Sequence, residues 1–419
     1  YDFNLVGNQW TKPNKSDTTY NISIVSLEET PQIYRSPVPG DVLRQRVQQQ
    51  SGQSLLSNEA SLSLDVFDLI DGERKLAVKD YRSQPLDLFS YRKLKLFVNG
   101  DPTFNYTNEN IFDAWMLVRL GTDSLNYYEY RAPIHPDIRP GTPWNSLNEV
   151  SIDFADLTAF KILQDSINTT TEFPVPNGPP GSYYIIKGNP LLTSIRQISV
   201  GVEKNRQAFN ASISGSVWFN EIRVLNIEDN NGYAFNLNAG IKFADFMNLN
   251  FNFSKTDPNF HALDGRFGSR RTSQAWDFSG TINVHKFINN ALSSLFSEEW
   301  KDFLTLPITF RHSESIYKPR YYPGTDIDIE EARVRRYNQI LQQTGDVELA
   351  ERLSNNIDLE SQTLDIRNEL GIQGMRFQFP SNNYFVKNFI NRFAYNITAT
   401  FGSSRDVTYE KRNNFDVRG

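Results

Sequence analysis

The chain has 419 residues, 39% of them hydrophobic, with a net charge of -6 and a mean hydropathy of -0.51. No apolar run approaches the roughly 18 residues of a transmembrane helix. An acidic balance also argues against a nucleic-acid binder, which needs a basic face to displace phosphate counterions. Cysteine is absent, which removes disulfide frameworks, thiolate metal sites and cysteine nucleophiles together. Phe (30) and Tyr (19) far outnumber Met (3). That bias suits β-structure, including membrane barrels, whose strands average out as hydrophilic because half of each faces a wet lumen. The chain starts without a basic, apolar leader, and both ends lie in strand-like pattern, so it reads as a piece of a longer polypeptide.

Residues 1–20 read as a lead-in strand or linker, and 21–229 as a β-sandwich of jelly-roll type. Alternation marks strands at Glu59–Ile70, around Leu94–Val98, at Trp115–Leu120, Leu125–Ile134, Ile195–Glu203 and Ser216–Ile227. A helix is expected at Asp156–Gln164 with Asp156 as its cap. The proline-rich stretches Thr30–Ser54 and Thr169–Ser182 read as irregular. Arg119, inside an apolar strand, needs an acid such as Glu129. Tyr128 and Tyr130 share a strand face, as do Trp218 and Asn220. Each pair is either a ligand face, a sugar platform in the case of the tyrosines, or ordinary cross-strand packing.

After Asp229-Asn-Asn-Gly232 the texture changes, and 230–419 reads as antiparallel strands with a helical insert at 326–356. One face of each strand is apolar: Tyr233, Phe235, Leu237, Ile241 and Phe243; Phe278, Ile282 and Val284; Leu306, Ile308 and Phe310; Phe393, Tyr395, Ile397 and Phe401. These are the expected lipid-facing residues of a transmembrane barrel. Leu249, Phe251 and Phe253 alternate with asparagines in the same way. The strands have the roughly nine to eleven residues that a tilted crossing requires. Alternation alone fits a soluble sheet with one wet face equally well; opposing faces of Asn, Ser and Thr, rather than Lys and Glu, favour the barrel.

Loop lengths point the same way. With the tight turn at Ala244–Met247 on the periplasmic side, the insert His312–Ile390 is extracellular, and so is the sandwich that precedes the first strand. The Gly402–Asp406 turn falls on the periplasmic side, where the Phe287–Phe303 link is long for its place and should hold a short helix, Asn290–Glu299. Within the insert, Asp328-Ile-Glu-Glu331 starts a helix ended by Gly345, Asp346 caps a second, and Ile366–Phe379 reads as a hairpin outside the membrane.

Motifs for chemistry are sparse. His135, His261, His285 and His312 are scattered, and no metal, nucleotide or nucleophile-elbow signature occurs. Asp326, Asp328, Glu330 and Glu331 sit at a helix start, where acids complement the dipole. No cofactor, catalytic residue or metal ligand is assigned. Paired carboxylates for glycoside hydrolysis stay open, since any two acids can meet in space.

The stretches Leu117-Val-Arg-Leu-Gly-Thr-Asp, Asn126-Tyr-Tyr-Glu-Tyr-Arg, Ser216-Val-Trp-Phe-Asn-Glu-Ile-Arg, Gly232–Asn248, Ile282-Asn-Val-His-Lys-Phe and Leu306-Pro-Ile with Lys318-Pro-Arg-Tyr resemble the SprA/Sov family. The resemblance implies a wide outer-membrane barrel of the type IX secretion system, linked to gliding motility. By resemblance its partners are secreted cargo proteins, outer-membrane lipid, a plug and a small partner barrel, with no nucleic acid. The expected function is passive conduction of folded cargo along a polar face without strong charge traps. The alternatives are a lectin-like, glycan-binding surface sandwich and a glycosidase.

Overall fold

The computed structural model describes residues 10–40, 46–48, 54–141, 143–164, 169–227, 230–265 and 267–419. The protein is mostly antiparallel β-sheet with few helices, in two compact units, Tyr1–Asp229 and Asn230–Gly419.

The first unit contains β1 (Tyr20–Ser26), a small hairpin of β2 (Arg46–Gln48) and β3 (Ser54–Leu56), β4 (Ala60–Ile70), β5 (Arg74–Asp80), β6 (Tyr91–Asn99), β7 (Ala114–Gly121) and β8 (Tyr127–Pro133). Then come β9 (Val150–Asp153), α1 (Phe154–Ile162), β10 (Thr170–Pro174), β11 (Tyr183–Lys187), β12 (Gln197–Lys204) and β13 (Ser212–Ile227). They form a five-stranded sheet, β1-β4-β13-β6-β9, and a six-stranded sheet, β10-β11-β8-β7-β12-β5. Period-two alternation gives each sheet a fully buried side: Leu64, Val217, Leu96 and Val150 on one, Val118, Tyr130, Val200 and Ala77 on the other.

Two details correct the sequence reading. Helix α1 starts earlier than expected, because the Asp153 carboxylate, not Asp156, accepts the Ala155 N–H. The stretch expected to be irregular after Thr169 contains β10, which pairs with β11 through Thr170–Pro174; an edge strand tolerates the terminal proline. Residues 1–9 of the expected lead-in, and 41–45 and 49–53 of the expected irregular stretch, lie outside the described residues.

The second unit contains β14 (Ala234–Phe243), β15 (Met247–Thr256), β16 (Arg271–Asn283), α2 (His285–Leu295), β17 (Leu304–Thr305) and β18 (Pro307–Pro319). These are followed by α3 (Ile329–Thr344), α4 (Val347–Ser361), β19 (Thr363–Phe377), α5 (Tyr384–Asn388), β20 (Tyr395–Arg405) and β21 (Arg412–Arg418). The strands form one open sheet, β14-β15-β16-β18-β19-β20-β21, with β17 against β19. Asp328 caps α3, Gly345 ends it in the left-handed region (φ 70°), and Asp346 caps α4.

The expected hairpin at Ile366–Phe379 is instead the single long strand β19, paired with β18 from Ile308↔Ile372 to Tyr317↔Thr363 and with β20 on its other side. One extra strand reverses every later direction. The turn after β20 spans 406–411 and lies at the same end as the insert 320–362, not beside the tight turn 244–246. The tight-turn end therefore carries the links 284–306 and 378–394, both with helices.

One buried histidine gives the first unit a pH response. His135 is buried with its ring centroid 3.9 Å from that of Tyr106, and burial holds its pKa below the ordinary imidazole value. The unfolded chain then takes up a proton that the folded one resists, so this contribution is present above about pH 6.5 and is lost as pH falls. Urea unfolding from pH 7 to 5 should show a shallower loss of stability in His135→Gln than in the parent.

Candidate functional site: a two-faced sheet

Register assigns every strand residue of the second unit to a face, because antiparallel partners share one. Phe243↔Met247↔Ile282↔Ile308↔Ile372↔Ile397 form one row. The next is Ile241↔Leu249↔Gly280↔Phe310↔Leu370↔Ala399↔Val417. A third begins Ala239↔Phe251↔Phe278 and ends Phe401↔Phe415. Leu237 and Phe235 continue the same face on β14. The expected apolar residues Phe235, Leu237, Ile241, Phe243, Phe278, Ile282, Ile308, Phe310, Tyr395, Ile397 and Phe401 thus come together on one side. Tyr233 precedes β14, Leu306 lies between β17 and β18, and Phe393 precedes β20. Val284 lies past the end of β16, immediately before α2, so its place in the strand is corrected.

Gly280 has a specific use. It is the register partner of Phe310, and a Cβ there would stand 2.7 Å from the Phe310 ring. The glycine lets that ring lie flat across the strand.

This apolar face is uncovered. Phe415 is 63% exposed, Ile241 54% and Phe401 52%, and among the described residues of this unit the buried hydrophobic ones are Leu304, Ala350 and Ile357. The length of the apolar run varies from strand to strand: it first meets polar residues at Lys255↔Gln274 on β15 and β16 and at His312↔Asn368 on β18 and β19, and extends through Phe401↔Phe415 on β20 and β21. At the polar margin Trp276 Nε1 donates to Glu314 Oε2 (3.1 Å), and His312 Nδ1 lies 2.6 Å from Asn368 Oδ1.

The opposite face carries Asn236, Asn238, Asn248, Asn250, Asn252, Ser279, Thr281, Thr309, Thr398 and Thr400. It is more charged than the sequence reading held. Arg311 Nε lies 2.6 Å from Asp277 Oδ2, Arg418 Nε 2.7 Å from Asp416, and Arg367 3.4 Å from Glu369. A polar groove of about 580 Å³ runs here between Asp365, Arg367, Glu369, Thr400 and Asp416. Charges of both signs are interspersed, and each of the three exposed pairs adds only about 0–1 kcal/mol. β19 supplies three of them, Asp365, Arg367 and Glu369, and those charges mask the alternation of its Leu364, Ile366, Leu370 and Ile372.

The other singled-out residues are internal. Tyr128, Tyr130, Trp218 and Asn220 are all buried. Tyr130 meets Tyr184 edge-on. Trp218 lies with Tyr34, Trp144 and Val25 in a small cluster, with the Arg139 guanidinium 3.8 Å from its ring. Asn220 Nδ2 donates to Tyr34 Oη and Glu59 Oε1, both at 3.0 Å. The register shifts between Asn220 and Arg223, with Glu221 at φ 52°. The Trp218–Arg223 stretch is thus a β-bulge over a buried polar network. Glu129, fully buried, accepts from Arg119 Nε at 2.9 Å, as the sequence required. Of the acidic cluster, Asp328 caps α3, and burial beside Asp328 pushes the Glu331 carboxyl up. Among the described residues no group of His, Asp and Glu could hold a metal ion.

A family model described as motility related/secretion protein, SprA_N, matches residues 1–332, and the chain belongs to that family. No curated protein matches the chain at a significant level.

Because Tyr128 and Trp218 fill the interior, truncating either creates a cavity. Urea unfolding should register a loss of roughly 3–5 kcal/mol for Tyr128→Ala or Trp218→Ala, and little change for Asn250→Ala on the exposed polar face.

Proposed function

We propose that this member of a secretion-protein family contributes an arc of an outer-membrane, protein-conducting β-barrel, with the second unit spanning the bilayer and the first forming an external β-sandwich of jelly-roll type. The uncovered aromatic face of a single-layer sheet carries the reading. A fully buried Phe, Leu or Ile is worth about 1.5–3 kcal/mol over an exposed one. Summed over a face of this size, exposure to water would cost on the order of 10 kcal/mol, as much as the net stability of a whole domain. Bilayer acyl chains remove that cost and require only that the backbone be paired, which strands achieve by closure. The edges β14 and β21 are unpaired within this sheet, so closure in this reading comes from further strands.

The asparagine, serine and threonine face would line the lumen. Three of its ion pairs are local, Arg311–Asp277, Arg367–Glu369 and Arg418–Asp416, and charges of both signs are interspersed, which leaves cargo hydrogen-bonding surface without a strong field of one sign. The sequence has no nucleotide-binding motif, and in this reading the role is passive and non-catalytic, with folded cargo driven by other components. The longest link, 320–362, lies at the end where β14 begins. Long loops of outer-membrane barrels are extracellular, which supports an external position for the first unit. A glycan-binding role for the sandwich gains nothing from Tyr128, which is buried.

The test is a pair of neighbouring substitutions in the full-length protein. Phe251→Arg should cost roughly 2–4 kcal/mol if it lies near the bilayer midplane, and should sharply reduce the protease-resistant protein recovered in outer membranes. Asn250→Arg, one residue away on the other face, should leave recovery near that of the parent. Equal recovery of the two variants would contradict the assignment of faces.

A further inference from the structure

The tight-turn end of the second unit carries two links, 284–306 and 378–394, that are much longer than the three-residue turn 244–246 beside them. Both hold a helix whose rings are turned outward. In α2 the apolar residues Phe287, Ile288, Ala291, Leu292 and Leu295 fall at helical spacing on one stripe, opposite Lys286, Asn290 and Ser293. Yet Phe287 is 64% exposed, Leu295 77% and Phe296 69%. In and after α5, Phe385 stacks on Phe389 at 4.9 Å, Phe389 meets Phe393 edge-on at 5.1 Å, and all three are exposed.

Neither helix hangs loosely. The Asn289 side chain closes on the peptide groups of Leu304, accepting from its N–H (3.0 Å) and donating to its carbonyl (2.7 Å). Asn391 does the same to Phe379, at 3.1 Å in both directions. Each clamp ties its link to the end of a strand hairpin: Leu304 pairs with Phe377, two residues before Phe379. With Asn289 buried and Ile288 and Leu292 half-buried, one side of the helix is fixed inward, and Phe287, Ala291 and Leu295 are left exposed beside Lys286 and Asn290.

Apolar rings held open in water by a pair of side-chain hydrogen bonds in each link, buried in the first and exposed in the second, need an apolar occupant. Three observations point to the bilayer rather than to another protein. Rings of the links touch rings at the end of the sheet: Phe246 in the tight turn meets Phe287 at 4.6 Å, and Phe303 meets both Phe377 of β19 and Phe379. Both links sit at the end of the apolar band, where aromatic girdles occur in membrane barrels. In the second link Lys387 and Arg392 flank the rings with no acid among residues 378–394, as suits anionic headgroups.

We infer that α2 and the α5 link are interfacial anchors, lying along the bilayer surface with Phe287, Leu295, Phe296, Phe385 and Phe389 in the headgroup–acyl boundary. The inference rests on the proposed spanning sheet. It gives the two long links at this end a purpose: they fix the depth of the sheet in the membrane.

Single cysteines carrying nitroxide labels test this in the full-length protein, reconstituted into phosphatidylethanolamine–phosphatidylglycerol vesicles. Labels at Leu295 and Phe389 should collide more with oxygen than with a water-soluble nickel chelate, and a label at Asn290 should show the reverse. Asn289→Ala should lower the oxygen preference at Leu295 and leave a label at Ile241 unchanged. Oxygen preference at Ile241 with nickel preference at Leu295 and Phe389 would overturn the anchors alone. Nickel preference at Ile241 as well would overturn the spanning sheet beneath them.

Discussion

An antiparallel sheet with one apolar face must have that face covered, and the two units of this protein meet the requirement differently. In the first, two sheets keep their apolar sides out of water, so Leu64, Val118, Val200 and Val217 have no exposure. In the second, one sheet of similar alternation has rings of Phe and Ile on one side and no protein layer against them among the described residues. Period-two alternation is common to both. The difference lies in what fills the other side of the apolar face, and sequence does not report that.

The polar side follows the same division. In the first unit, charged and polar groups on the sheets are buried and hence must be paired: Glu129 with Arg119 and Arg74, Asn220 with Tyr34 and Glu59. In the second, asparagine, threonine and locally paired charges stay open to solvent, where an unpaired group costs little. A surface of that kind is suited to touching many partners weakly, which is what the proposed passive conduction needs.

Much of this was legible in the sequence because it depends on local alternation. β14, β15, β16, β18 and β20 carry their apolar residues two apart, and Arg119 inside an apolar strand demanded an acid on its neighbour. What failed to be legible depends on partners distant in sequence. β19 looks like a solvated hairpin, since Asp365, Arg367, Glu369, Gly371 and Gly374 break its apolar run, and only pairing with β18 and β20 makes it a strand. That one omission reversed the expected side of the turn after β20. Trp218 and Asn220 read as a possible ligand face because the residues that seal them, Tyr34 and Trp144, come from remote segments without strand pattern. The outward rings of α2 and α5 carry a helical spacing that sequence shows, but their orientation is set by Asn289 and Asn391 gripping peptide groups elsewhere in the chain.

The most direct test of the spanning sheet is an electron cryomicroscopy map of the full-length protein in lipid nanodiscs. The account predicts bilayer density against the face that carries Leu249, Phe251 and Phe278, with β14 and β21 each hydrogen-bonded to a further strand. A second protein layer packed over that face, with the bilayer elsewhere or absent, would contradict it.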